Sequence, residues 1–448
     1  MSSYLIKNAS IINEGKIGPS DVLIMNERIE RIDSSITSHT AKIIDADGLY
    51  LLPGMIDDQV HFRQPGLTHK ATISSESKAA VAGGITSYMD MPNTIPNTLT
   101  QPLLEEKYVM ASQQSLANYS FFMGICKANL EEVLKTDMQH VCGISDDGLY
   151  VDDNEGILAN HTDYLEKLFS RTGALVALHC EDDRIINIHT EKYRKEFGDD
   201  IPAEFHAKIR NEEACFNATE RVLNIANKYS TRLHLLHIST LAEANLFDNK
   251  IPVKQKRITA EACVHHLWFS EIDYQRLGNK IKWNPAIKTE ADKDGLLYAL
   301  INNKLDIIAT DHAPHLLSEK QGNYFQAKAG GPLVQHALPL LLELYHQDKI
   351  SVEKLVEKTS HHVAEIYRIK ERGYIREGYF ADLVLVDLYN PWQVTSENLL
   401  YQCQWSPFDT NRFKSKIVKT FVNGELVYDN GLFNETKKGK RLIFEKIR

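Results

Sequence analysis

With 448 residues, 43% of them hydrophobic and 25% charged, the chain has the composition of a folded protein and the length for one large domain plus a smaller one. Its formal net charge of -9, from 51 Lys and Arg against 60 Asp and Glu, argues against a nucleic-acid partner, which needs a basic face. No apolar run approaches the ~20 residues of a membrane span and no basic-then-apolar leader opens the chain, so no membrane partner is expected and a cytoplasmic location is.

Residues 1 to 53 read as short β-strands, at 4–6, 10–12, 21–24, 29–32 and 42–45, separated by turn signals at Gly15, Gly18-Pro19 and Asn26. The same texture returns near the C-terminus in residues 381–387, 415–422 and 425–428, with Asn423-Gly424 as a hairpin signal of the primed-turn kind. Two β-rich ends around a different middle predict one composite β-domain built from both termini, residues 1–53 plus 378–448. The basic run at Lys437-Lys438-Gly439-Lys440-Arg441 reads as a solvated tail.

The stretch after the first Pro-Gly break, Pro53 to Gly66, is unusual. Asp57, Gln59, His61 and Arg63 alternate with apolar residues and share one face of an extended strand. Such a face needs a partner to justify burial, and a metal ion is the simplest.

From residue 54 to 377 apolar strand-like runs (86–91, 174–179, 232–237, 305–311) alternate with helical stretches. In the stretch 212–228, for example, Ala214, Cys215, Ala218, Val222, Leu223 and Ala226 fall on one helical face. Repeated β-then-α units predict a parallel α/β fold. Several different runs end in His or Asp, which favours a (β/α)8 barrel over an open sheet, where chemistry gathers at one switch point. The turn-rich stretch His315 to Pro332, with Gly322, Gly330 and Gly331, is expected to be a mobile loop over the pocket.

Candidate ligands come at the ends of those runs: His61, the pair Asp146-Asp147, His179, His237 and Asp311. Singly, each has a bland explanation as a cap, a turn or a core hydrogen bond. Together they form an imidazole and carboxylate set suited to zinc or a similar divalent ion, as one centre or two. The six cysteines are widely spaced with no C-x-x-C, so neither a disulfide framework nor a thiolate cluster is expected. Cys180 is expected to be buried.

The motifs at 53–66, Met91-Pro92-Asn93-Thr94, Ser145 to Gly148, His179 to Asp182, His237 to Thr240, Lys282 to Pro285 and Ala309 to His315, in that order along the chain, resemble the class I dihydroorotases of the amidohydrolase superfamily. Thr259-Ala260-Glu261, His265-His266-Leu267 and Gly378 to Asp387 continue the resemblance. It implies a (β/α)8 barrel carrying a β-sandwich made from both ends, and a zinc-dependent enzyme interconverting dihydroorotate and N-carbamoyl-aspartate in pyrimidine synthesis. By position it implies His61, Asp147 (preferred over Asp146), His179, His237 and Asp311 as metal ligands, with Asp311 also the catalytic acid and base. Arg63, Asn93, Asn284 and His315 are implied to hold the substrate, and backbone around Gly331 and Pro332 to close over it. Asp57 is expected to support the ligands from behind.

One position departs from the pattern. Where the family usually has the first His of Asp-x-His-x-His, this chain has Gln59, a poor zinc ligand beside imidazole. The expectation is one firmly held zinc ion and a second that is weaker or absent. Sibling cyclic amidases (hydantoinases, dihydropyrimidinases, allantoinases) are the alternative, although they usually bridge their metals with a carbamylated lysine. A silent homologue kept as a partner of aspartate transcarbamoylase is the third reading. A homodimer acting on a small-molecule substrate is what the resemblance suggests.

Overall fold

In the computed structural model, which describes residues 3–149 and 156–446, the two ends of the chain meet in one nine-stranded sheet. Its strands run Leu432–Phe433, Glu425–Asp429, Lys416–Val422, Leu383–Asp387, Tyr50–Pro53, Ser3–Asn13, Lys16–Met25 and Arg28–Asp33, with Lys42–Asp45 also paired to Ser3–Asn13. The pieces expected at 4–6 and 10–12 are a single strand whose register shifts between Ile6 and Ala9. Asn8, at φ 62°, makes that kink, a backbone setting that asparagine tolerates better than most residues. The kink divides the strand's partners. Tyr4 to Lys7 pair with Lys42–Asp45, whereas Ser10 and Ile11 pair with Tyr50 and Leu51. Ile6, Val22, Ile24, Ile44, Leu383 and Phe421 form an apolar cluster of their own within this sheet. The Asn423-Gly424 turn is present, with both residues at positive φ (49° and 74°).

Between the ends, every strand pairing is parallel, so this is an α/β protein. Three strands, Met55–Val60, Ile85–Asp90 and Asn118–Phe121, form one sheet. Met123–Gly124, Ile144–Ser145, Leu175–Leu178, Arg232–Leu235, Ile258–Cys263 and Ile307–Ala309 form another. Only Phe122 separates the last strand of the first sheet from the first strand of the second. At the other side, the His61 N–H donates to the His312 carbonyl at 2.7 Å, and a parallel bridge joins Val60 to His312. Helices lie between the strands, some burying one stripe and one, Ala337–His346, buried nearly all round. Glu212–Tyr229, capped by the Asn211 side chain on the Ala214 N–H, buries all six residues its periodicity singles out.

The basic C-terminal run keeps the Lys437 and Lys440 side chains in solvent, as expected, but it is docked along its backbone and is not a free tail. The Lys440 carbonyl accepts from Tyr119 N–H (3.0 Å), Leu442 N–H donates to the Tyr119 carbonyl (2.9 Å), and the Arg441 guanidinium lies 3.5 Å above the Tyr108 ring. Its composition hid the reason: Leu442 and Phe444, just beyond the charges, are buried. Among the described residues no helix is long and apolar enough to cross a membrane.

Candidate metal centre

Asp57 lies at the root of the site. It sits in the strand Met55–Val60, where its carboxylate accepts from the Thr310 N–H (3.1 Å) and hydroxyl (2.6 Å). That double contact ties the first parallel strand to the turn carrying Asp311, the supporting place expected of it. Burial pushes the Asp57 carboxyl up to about 7.

The ligand candidates converge. His61, Asp147 and Asp311 bring ligand atoms together in one group and Asp147, His179 and His237 in another, with Asp147 common to both. Its Oδ2 is 3.2 Å from His61 Nε2, and its Oδ1 lies 3.9 Å from His179 Nδ1 and 3.8 Å from His237 Nε2. Asp146 points elsewhere, accepting from the His179 N–H at 3.2 Å. Burial alone would push the Asp147 carboxyl up, but hydrogen bonds from His237 and His61 hold it well below the usual range. The same contacts outweigh burial on the two imidazoles and raise both to about 9.

Two of the three imidazoles are aimed by the far nitrogen, whereas His237 Nδ1 is buried without a hydrogen-bond partner. Asn93 Oδ1 lies 2.7 Å from His61 Nδ1, so that nitrogen carries the proton and Nε2 faces the carboxylates. Glu181 Oε2 lies 2.9 Å from His179 Nε2 and is itself clamped by Arg210, which turns Nδ1 inward. There it stands 3.0 Å from His237 Nε2. Such carboxylate and amide partners are what metal-ligating histidines ordinarily have. The Glu181 clamp was missed in the sequence, although Glu181 stands two residues after His179. His237, Asp311 and Arg63 all have positive φ (35°, 50° and 67°), uncommon for non-glycine residues and typical of functional sites.

Gln59 is close but turned the wrong way for a ligand: its Nε2 donates to Asp147 Oδ2 at 3.0 Å, and its Oε1 accepts from the Cys263 thiol at 3.4 Å. The remaining donors, imidazoles that would give up their extra proton to a metal and carboxylates packed out of water, suit a divalent ion of the zinc type.

Around this cluster lie the other singled-out residues. Arg63 is 5% exposed. Its Nε donates to the Pro314 carbonyl (3.1 Å) and its NH2 to His315 Nε2 (3.2 Å), and among the described residues it makes no ion pair. Lys70 joins His315 from the other side, 3.1 Å from Nδ1, while holding Glu319 at 2.9 Å. Asn284 Oδ1 is buried without a hydrogen-bond partner. The Asn93 amide packs on Gly148, where an added Cβ would lie 2.0 Å from Nδ2. Gly331 is pinned by its carbonyl to the Ala313 N–H at 3.0 Å, and Pro332 comes next in the chain. The stretch 315–332, expected to be a mobile loop, is held by two buried lysines: Lys320 donates to the carbonyls of Lys282, Lys328 and Gly330 (3.2, 2.6 and 2.7 Å), and Lys282 to those of Tyr324 and Ala327. Cys180 is buried, as expected, and burial pushes its thiol well up.

Known proteins are similar to this chain along its whole length. A dihydroorotase of Methanosphaera stadtmanae is 29% identical over 444 residues, covering 98% of this chain and 99% of that one. An allantoinase of Desulfitobacterium hafniense is also 29% identical, over 462 residues and 99% of both. The solved L-hydantoinase (dihydropyrimidinase) of Arthrobacter aurescens superposes with a TM-score of 0.90 at 23% identity, covering 99% of this chain and 100% of that one, which shows a common fold. The model of the amidohydrolase family matches residues 50–427, a span that includes every ligand candidate above, and the chain belongs to that family.

Proposed function

We propose that the protein is a dihydroorotase, a zinc-dependent cyclic amidohydrolase that interconverts dihydroorotate and N-carbamoyl-aspartate. In this reading residues 54–377 are a (β/α)8 barrel and residues 1–53 plus 378–448 a composite β-sandwich. The contact of His61 and Val60 with His312 and the single residue between the two parallel sheets support the barrel. The kinked first strand, with different partners on its two halves, supports the sandwich.

The observation that carries the substrate assignment is Arg63. A guanidinium so deeply buried calls for an anion, and beside the ligand cluster it has none of its own. Its planar fork suits a carboxylate. Dihydroorotate brings one, whereas hydantoin, dihydrouracil and allantoin do not.

Asp147, His179 and His237 would hold one ion firmly, and His61, Asp147 and Asp311 a second more weakly, because Gln59 presents N–H groups instead of a lone pair. A divalent ion held by these residues would supply Lewis-acid activation of the ring carbonyl and of the attacking water. The chain's own residues do the rest. Arg63, steadied by His315, takes the substrate carboxylate, and the unpartnered Asn284 Oδ1 accepts the ring N–H. Asn93 keeps His61 in the right tautomer, and backbone at Gly331 and Pro332 covers the ring. Asp311 receives the proton of the attacking water and delivers it to the departing ring nitrogen, then runs the same path backwards in ring closure.

The test is turnover by metal-loaded protein of dihydroorotate, N-carbamoyl-aspartate, hydantoin, dihydrouracil and allantoin. Dihydroorotate and its open form are expected to be the preferred pair. Folded, zinc-loaded protein that ignores both but opens one of the others would replace this reading with that cyclic amidase.

A further inference from the structure

A second set of ligand atoms lies behind Gln59, unused by the chemistry above. Cys263 ends the strand Ile258–Cys263 and the next residue starts the short helix Val264–Trp268, so the chain turns and brings His265 and His266 back beside the thiol. One ligand atom from each of the three lies within 4.8 Å of the others, and all three residues are buried.

Their hydrogen bonds are incomplete. His266 gives Nε2 to the Pro285 carbonyl at 3.2 Å, which leaves Nδ1 as a lone pair, and Nδ1 has no partner. Neither ring nitrogen of His265 makes a well-formed hydrogen bond, although the Thr310 backbone acts on the ring; the ring is stacked flat on Trp283, centroids 4.6 Å apart at 16°. Buried polar atoms in folded proteins are nearly always satisfied, so unsatisfied nitrogens on two imidazoles beside one thiol mark a missing partner. One thiolate and two imidazoles are a ligand set for a borderline or soft divalent ion. Gln59 joins the two sets, touching Cys263 with its Oε1 and Asp147 with its Nε2.

We propose that Cys263, His265 and His266 form a separate, sulfur-containing site for a divalent ion such as zinc, set behind the Asp147 cluster. Binding breaks the Sγ–H bond, forms a metal–Sγ bond and releases the thiol proton to solvent. Gln59 Oε1, freed from the thiol, faces the ion as a further neutral ligand. The site does not depend on which ring the enzyme opens.

Cobalt(II) separates the two sites by spectrum, since the Asp147 cluster contains no sulfur. The protein is stripped with a chelator and titrated with cobalt(II), with metal per chain and near-ultraviolet absorption followed together. A thiolate-to-cobalt charge-transfer band is expected in the wild type. Cys263→Ser is expected to lose the band and one ion per chain while keeping the ions of the Asp147 cluster. His266→Gln, which leaves the thiol in place, is expected to shift the band's titration midpoint at least ~10-fold higher in cobalt, about 1.4 kcal/mol. If circular dichroism shows that Cys263→Ser is unfolded, His266→Gln alone decides. Cobalt-loaded wild type without the band, no cobalt uptake, a band that persists in folded Cys263→Ser, or an unmoved midpoint in His266→Gln would each overturn the proposal.

Discussion

At Gln59 the orientation of one amide bears directly on the proposed metal chemistry. With Nε2 on Asp147 and Oε1 on the Cys263 thiol, the side chain steadies the shared carboxylate from the place a ligand would occupy. Gln59→His is therefore expected to raise the zinc content per chain and tighten the ion held by His61 and Asp311, read by metal analysis after dialysis against a graded chelator. An unchanged content would mean that His61 and Asp311 already hold their ion without help. Asp311 carries a different burden, because it both contacts His61 at 3.2 Å and is the proposed proton carrier. Asp311→Asn keeps the shape but cannot shuttle a proton, and turnover in both directions should fall by ~10²–10⁴-fold, the usual worth of general acid–base catalysis. The zinc bound through Asp147, His179 and His237 should remain. Activity near wild type would move the proton transfer to another group. At this scale much of the site was legible in the sequence, since His and Asp at the ends of apolar strands are local anomalies that a reader can see. Glu181, Cys263 and His265 were harder to see, because their significance lies in what they face across the fold.

The segment 315–332 shows how an irregular element is held without a ladder of its own; among the described residues its regular structure is the short turn Leu317–Lys320. The carbonyls that such a stretch leaves unpaired are collected by the ammonium groups of Lys282 and Lys320. Gly and polar residues here read as a loop in the sequence, correctly, but lysine normally signals solvent, and its use as an internal clasp is not written in composition. Burial, then repulsion from Arg210 and Lys328, lowers the Lys282 ammonium to about 7, against ~10.4 in an unfolded chain. Between those values the unfolded state binds a proton that the folded state does not. Stability contributed at this position therefore rises with pH from about 7 to ~10.4, and the cost of the buried charge is fully present below about 7. Urea unfolding of wild type and Lys282→Met across this range should show the wild type gaining on the variant as pH rises. Parallel curves would mean that Lys282 stays charged in the folded protein.

Across the whole molecule the termini close the structure. The β-texture at both ends made their partnership readable, and the parallel middle could be read from strand-helix alternation, but the last residues were misread because charge masked the apolar side chains beyond it. Lys437 to Arg441 carry four cations, yet Leu442 and Phe444 behind them are buried in a cluster that also contains Ile56, Ala177 and Ile307 from the parallel strands and Phe122 between two of them. Charges and apolar anchors act together. Arg441 reaches Glu105 at 2.8 Å and covers Tyr108, Lys440 pairs with Glu27, and the Phe444 N–H donates to the Gln139 carbonyl at 3.0 Å. Removing residues 439–448 should therefore destabilise the protein by ~3–6 kcal/mol, at ~1.5–3 kcal/mol for each large apolar side chain, a sizeable share of the ~5–15 kcal/mol that holds a typical protein folded. The exposed ion pairs add little to that sum. Leu442→Ala with Phe444→Ala should reproduce most of the loss while keeping every charge, whereas Lys440→Gln with Arg441→Gln should cost far less. Equal losses from the two pairs, tracked by urea midpoint, would mean that the charges and not the buried side chains fasten the chain end.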